Sequence, residues 1–322
     1  MKMIIRKIGS LFAVILLLTA ISIQPADAFI KWVEFKVPYS ALEKAMKLDI
    51  ESTEQEIKLN WTEILALLAC KYGGEWSRYK ESDLLDFAER LREGECLQEM
   101  SAKYEHYGYF SDAYDAVLGG LLGHYRVMDE VGNWEEKYGL RAFSPVAKGY
   151  YYTHSDDFGV GRNYGYQRRH LGHDMMCPTG TPVIAVETGR VEAMGWNQYG
   201  GWRVGIRSLD SRRYYYYAHL RKDRPFHADL KEGGIVKAGD VIGYVGRTGY
   251  SRNENVNNIE ISHLHFGLQL IFDESQKEAV TEIWVDTYNI VRLLEKNRAP
   301  VYRVDETKEY YPDHVTEKID AA

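Results

Sequence analysis

Three short histidine-bearing segments hold the residue types from which a metal-dependent hydrolytic site can be built. The first is His170-Leu171-Gly172-His173-Asp174. On a regular strand His170 and Asp174 would face the same way yet stand about 13 Å apart. A zinc ion holds its ligand atoms at about 2 Å, so sharing one ion requires the chain to bend between them. Gly172 is the residue that permits such a bend. The second segment is His263-Leu264-His265, where strand alternation points both imidazoles to one face and turns Leu264 to the core. One of the two can bind a metal while the other stays beside it as an acid or base. The third is His219, which closes the run Tyr214-Tyr215-Tyr216-Tyr217-Ala218.

Each piece alone is weak, because a chain with ten histidines produces an H-x-H by chance about 0.3 times. Order and setting carry the weight. His170 and Asp174 precede Cys177-Pro178-Thr179-Gly180-Thr181-Pro182-Val183, and the glycine-rich stretch Val236 to Gly246 comes before the H-x-H.

From about Phe158 to Leu270 the chain resembles the lysostaphin-type, or M23, zinc metallopeptidases, over roughly a third of its length. The family's H-x-G-x-D corresponds to His170–Asp174, its tyrosine-rich strand to Tyr214–His219, its glycine loop to Val236–Gly243 and its H-L-H-F to His263–Phe266. Two features depart from it: a long asparagine-rich stretch from Ser251 to Ser262, and the extra histidine His173. The resemblance implies that His170, Asp174 and His265 bind one zinc ion and that His219 and His263 are catalytic. Two neutral imidazoles and one carboxylate leave an open fourth position on the ion. His263 is then expected as general base and His219 as donor to the oxyanion or leaving amine, in roles that could be exchanged. No H-E-x-x-H helix is present, so a glutamate-base mechanism is not expected.

The expected product class is a peptidoglycan endopeptidase. An inactive scaffold would lack one of the five residues and a mere wall-binding module would not need two non-ligand histidines. Family members cut cross-bridges, D-alanyl-diaminopimelate cross-links or stem peptides. Phe29–Ile50 and the helical half are similar to Bacillus sporulation L-Ala-D-Glu endopeptidases, which implies a stem-peptide bond in spore cortex as substrate. Arg168 and Arg169 offer guanidinium groups to a carboxylate-rich peptide.

The expected fold class is α+β, with a small all-α domain (29–140) followed by an antiparallel β-sandwich or barrel (141–300) with a closing helix. Ser40, Asn60, Ser82 and Ser111 read as helix starts, Gly73-Gly74 and Gly94 as stops. The last helix is expected within Trp284–Asn297, and an acidic, mobile tail over 301–322. Among the remaining histidines, His106 and His124 read as surface positions with Glu75, while His154, His173 and His227 read as surface or supporting groups. Two of the four consecutive tyrosines belong in the core and two along a groove.

Residues 1–28 read as a signal peptide: Lys2, Arg6 and Lys7, then the apolar run Leu11–Ile23, then Ala26-Asp27-Ala28. An uncleaved membrane anchor is the alternative. Either reading places the body outside the cytoplasm. After Ala28 the chain has 37 basic and 46 acidic residues, which excludes the basic footprint of a nucleic-acid binder. Cys70 and Cys96 can pair or remain as two buried thiols, the second being favoured, and Cys177 is expected to pack.

Overall fold

The computed structural model describes residues 30–129, 131–163, 167–277, 281–313 and 316–318, so the segment read as a signal peptide lies outside the described residues. Among the described residues, no helix is long and apolar enough to cross a membrane.

Five helices come first: α1 (Tyr39–Glu51), α2 (Trp61–Tyr72), α3 (Glu81–Arg92), α4 (Leu97–Ser101) and α5 (Tyr107–Leu118). The Asn60 side chain accepts from the backbone N–H of Thr62 and Glu63, and Gly73 ends α2 at φ +64°. Nine of its 12 residues are buried, so α2 is the axis on which α1, α3 and α5 pack. Other starts differ from expectation. The α1 helix begins at Tyr39 after Pro38, α3 at Glu81 without a side-chain cap, and α5 at Tyr107, four residues before Ser111.

The all-helical reading through residue 140 is corrected at its end. Strands β1 (Leu122–Met128) and β2 (Trp134–Leu140) form an antiparallel hairpin. The Asp129 carboxylate accepts from the N–H of Val131 and Asn133 and holds the turn, a local signal that helical periodicity does not contain.

The β-rich part contains β3 (Thr153–His154), β4 (Gly161–Asn163), β5 (Gln167–Arg169), β6 (His173–Met176), β7 (Pro182–Ile184), β8 (Gly189–Asn197) and β9 (Gly201–Ser208). It continues through β10 (Arg213–Ala218), β11 (Ile235–Val236), β12 (Val241–Tyr244), β13 (His263–Leu270), β14 (Ile283–Val285) and helix α6 (Tyr288–Leu294). The main sheet runs β11-β8-β9-β10-β13-β6-β3, with β14 on the far end of β13. Tyr215, Tyr217, Leu264, Phe266 and Leu268 are buried in the core, so the alternate residues Tyr214, Tyr216, His263 and His265 face the other way. The division of the four tyrosines follows from this alternation.

Trp284 belongs to β14 rather than to the closing helix, which is shorter than expected. The Asp286 carboxylate accepts the Tyr288 N–H at 2.9 Å and marks where that helix begins. The tail is also corrected: β15 (Val301–Arg303) pairs with β16 (Tyr310–Pro312), and β17 (Thr316–Lys318) pairs with β1. Glu309 is buried and accepts hydrogen bonds from the Tyr244 hydroxyl and Arg224. An acidic composition was therefore a poor guide to mobility, because one carboxylate of the tail is buried against the Tyr244 hydroxyl.

The helices and the sheet share one continuous cluster of buried side chains. Arg213, 1% exposed, joins them: it pairs with Glu187 at 2.8 Å and donates to the Ala116 carbonyl on α5. An ion pair this deep is tolerable only because its donors are met. Cys70, Cys96 and Cys177 are free. Cys96 is exposed and Cys70 half-buried, which corrects the expectation of two buried thiols; Cys177 packs in the core as expected.

Candidate active site

Sheet register assembles the first two histidine segments. Asp174 on β6 lies directly opposite His265 on β13, and opposed residues of an antiparallel pair face the same side. His170 reaches them from the loop after β5. Its Nε2 stands 3.1 Å from Asp174 Oδ1 and 3.1 Å from His265 Nδ1, and His265 Nδ1 stands 2.8 Å from Asp174 Oδ1. Among the described residues, these three form the one group of ligand-type side chains able to hold a metal.

The chemistry of the three atoms fits a cation. Asp157 accepts the Nδ1 proton of His170 at 3.0 Å, which leaves a lone pair on the Nε2 that faces Asp174 and His265. Burial would raise the Asp174 carboxyl, but contact with His170 and His265 outweighs it and holds the group well below the usual carboxylate range. Burial likewise lowers His265 against the pull of Asp174. Electron-pair donors crowded this closely suit an ion among them, and ligands at about 2.0–2.2 Å around a tetrahedral zinc stand a little over 3 Å apart.

Gly172 has a different reason from the one expected. Its φ is not left-handed; instead, a Cβ there would meet His265 Nε2 at 2.5 Å and the Phe266 carbonyl at 2.9 Å. The residue permits close approach of the loop to β13 rather than a bend.

Two further imidazoles flank the cluster. His219, at φ +62° just past β10, is 4% exposed, and its Nδ1–H donates to the Thr248 carbonyl at 2.9 Å. His263 Nδ1–H donates to the Ile261 carbonyl at 2.8 Å, and its Nε2 lies 3.8 Å from Asp174 Oδ2. Carbonyls only accept, so both rings keep Nε2 as the available base. Burial, with His263 and His265 nearby, drives His219 well below the usual histidine range and keeps it neutral.

The structure also reveals supporting residues, some of which sequence reading missed. Arg162 bridges Asp174 Oδ2 at 2.7 Å and Asp157 Oδ2 at 2.6 Å, and so orients both the carboxylate and the partner of His170. No spacing signal announces it, because β4 reaches the site through strand pairing. His154 and the extra His173 bond to each other at 2.9 Å behind Asp174, and burial together with His154 pushes His173 down to about 3. Tyr250, in the loop before the asparagine-rich stretch, places its ring 5.7 Å from that of His219. Glu75, His106 and His124 are exposed, as expected, while His227 is buried.

Comparison with known proteins gives this arrangement a lineage. Residues 168–280 match the model of Peptidase family M23. The chain carries an M23 peptidase domain. It is 35% identical over 164 residues to the L-Ala--D-Glu endopeptidase of Bacillus subtilis, a stretch covering 48% of this chain and 49% of that protein. It is 37% identical over 120 residues to lysostaphin of Staphylococcus staphylolyticus, covering 37% of this chain and 21% of lysostaphin. The chain thus spans about half or less of the length of these relatives. A solved structure from Ruminococcus gnavus, described as a candidate glycyl-glycine endopeptidase LytM, aligns with a TM-score of 0.50 at 24% identity, over 78% of this chain and 88% of that one. That likeness concerns the fold.

The M23 domain opens a groove of about 650 Å³ over the outer face of its main sheet. His170, His219 and His265 lie in it with Tyr214, Tyr216 and Trp284. Gly267 leaves room for the Trp284 ring, which a Cβ at that position would meet at 2.7 Å. An open, aromatic-lined trough beside the five residues suits an extended peptide.

Proposed function

We propose that this chain is an exported zinc-dependent peptidoglycan endopeptidase that hydrolyses the L-Ala–D-Glu bond of stem peptides, in spore cortex maturation. The observation that carries the reading is the convergence of His170 Nε2, Asp174 Oδ1 and His265 Nδ1 within 2.8–3.1 Å of one another, with two unengaged imidazole Nε2 atoms alongside. The similarity to the Bacillus subtilis L-Ala--D-Glu endopeptidase supports the bond. The basic and apolar segment at residues 2–28 supports export, to the cell envelope or the spore cortex.

His170, Asp174 and His265 would hold the zinc ion, which when bound supplies Lewis acidity and acidifies water near neutral pH. His263 takes the proton of the attacking water at Nε2 and is the general base. Neutral His219 has no proton on Nε2, so it can serve the oxyanion or the leaving amine only after accepting one. The two rings thus work as a pair that relays one proton from water to amine. Arg162 keeps Asp174 ionised and oriented throughout.

A second reading is cleavage of a cross-link or cross-bridge, favoured by the 37% identity over 120 residues to the glycyl-glycine endopeptidase ALE-1 of Staphylococcus capitis. Digestion of purified muropeptides followed by mass spectrometry separates the two. The first reading expects muramic acid bearing a single L-alanine and a fragment with N-terminal D-glutamate. N-terminal glycine or diaminopimelate would sink it and leave the metal chemistry standing.

A further inference from the structure

The groove holds a half-buried arginine in register with the ligand cluster. Arg203 on β9 sits one position beyond the Val204–Tyr217 pair, hence opposite Ala218. Ala218 in turn opposes His265, and His265 opposes Asp174. Arg203 therefore shares one row with the two ligands, two strands from His265. Adjacent strands stand about 4.8 Å apart, so the row separates them by roughly 10 Å with the small Ala218 between. Opposed residues face the same side, and Arg203 lines the groove with His265 and His219.

The polar side chains around it have partners of their own. Glu192 pairs with Lys277 and with Arg207, the latter at 3.7 Å. Glu282 accepts from the Trp284 indole at 2.8 Å. Arg168 donates to the Tyr250 hydroxyl and lies 4.9 Å from the centre of its ring, while Arg169 is exposed on the rim. The Arg203 side chain has no hydrogen bond or ion pair among the described residues. Its guanidinium opens on the groove rather than on a protein acceptor, and the planar fork of donors matches a carboxylate.

We propose that Arg203 is a specificity-determining residue that receives a free carboxylate of the substrate next to the bond that is cut. The inference rests on the L-Ala–D-Glu reading. D-Glutamate continuing the stem through its side-chain carboxyl leaves its α-carboxylate free beside the released nitrogen. A cross-bridge glycine at that place offers nothing for the arginine to bind.

The test uses the full zinc-loaded chain and two synthetic stem peptides that differ only there, one with the free α-carboxylate and one with the α-carboxamide. The native protein is expected to favour the acid by about 10- to 100-fold in kcat/KM, the range of a charge-assisted hydrogen bond. In Arg203→Gln that ratio falls toward one, and Arg203→Lys, which keeps the charge but not the fork, keeps part of it. Zinc content and circular dichroism report folding. A native acid preference retained in both variants overturns the proposal and leaves the bond assignment intact. Failure of the native protein to cut either peptide at that bond overturns the assignment, and this carboxylate with it.

Discussion

His219 and His263 meet edge to face, with ring centroids 4.8 Å apart and planes at 69°, and each commits its Nδ1–H to a backbone carbonyl. The pair therefore presents two Nε2 lone pairs beside the ligand cluster. His219→Ala and His263→Ala are expected to keep the metal and the fold yet lose about 10² or more in turnover, as when a positioned acid or base is removed. A variant that digests peptidoglycan at nearly the native rate, with full metal content, would show that its histidine is not part of the chemistry.

Ligands and their supports should separate by degree. His170→Ala and Asp174→Ala are expected to abolish stoichiometric zinc in the purified protein. Arg162→Ala, which removes the 2.7 Å contact to Asp174 Oδ2, should weaken zinc affinity by roughly 10–100-fold without abolishing it. Competition with a chelator measures both, and an Arg162 variant with native affinity would refute its orienting role.

Gly172→Ala tests close approach against backbone freedom. A Cβ at 2.5 Å from His265 Nε2 forces the loop or the imidazole to move, so zinc affinity should fall and stability should drop by about 1–3 kcal/mol. Native affinity and melting temperature in this variant would mean that the loop yields at no cost.

Acid should destabilise the metal-free protein through the half-buried His154 and the buried His173. Burial lowers His154, and His173 lies at about 3, both below the unfolded value near 6.5. A depressed histidine contributes stability that is present above about pH 6.5 and is lost as pH falls toward the folded values, by up to about 1.4 kcal/mol per pH unit for each group. Denaturant midpoints of the apoprotein should therefore fall from pH 7 to pH 5, less steeply in His173→Asn. An unchanged slope would place His173 outside the linkage.

The C-terminal hairpin should contribute to stability. Glu309→Ala leaves the buried Tyr244 hydroxyl without its carboxylate acceptor, and a loss of about 1–3 kcal/mol is expected by chemical denaturation. A midpoint within error of native would restore the reading of residues 301–322 as a loose tail.

Chemistry-bearing residues were legible in the chain because their patterns are short-range. The i, i+2 spacing of His263 and His265 means one face on any strand, and alternation alone separates Tyr214 and Tyr216 from buried Tyr215 and Tyr217. Asn60 and Gly73 delimit α2 by local hydrogen bonding and backbone freedom. What stayed hidden arises from pairing across long separations. Arg162 reaches the cluster through the β4–β5 hairpin, Glu309 meets Tyr244 from 65 residues away, and the row Asp174–His265–Ala218–Arg203 exists only after four strands find register. Composition is blind to such contacts. An acidic tail reads as mobile until a buried hydroxyl and an arginine meet one of its carboxylates, and a groove arginine reads like any other until its neighbours are seen to be engaged.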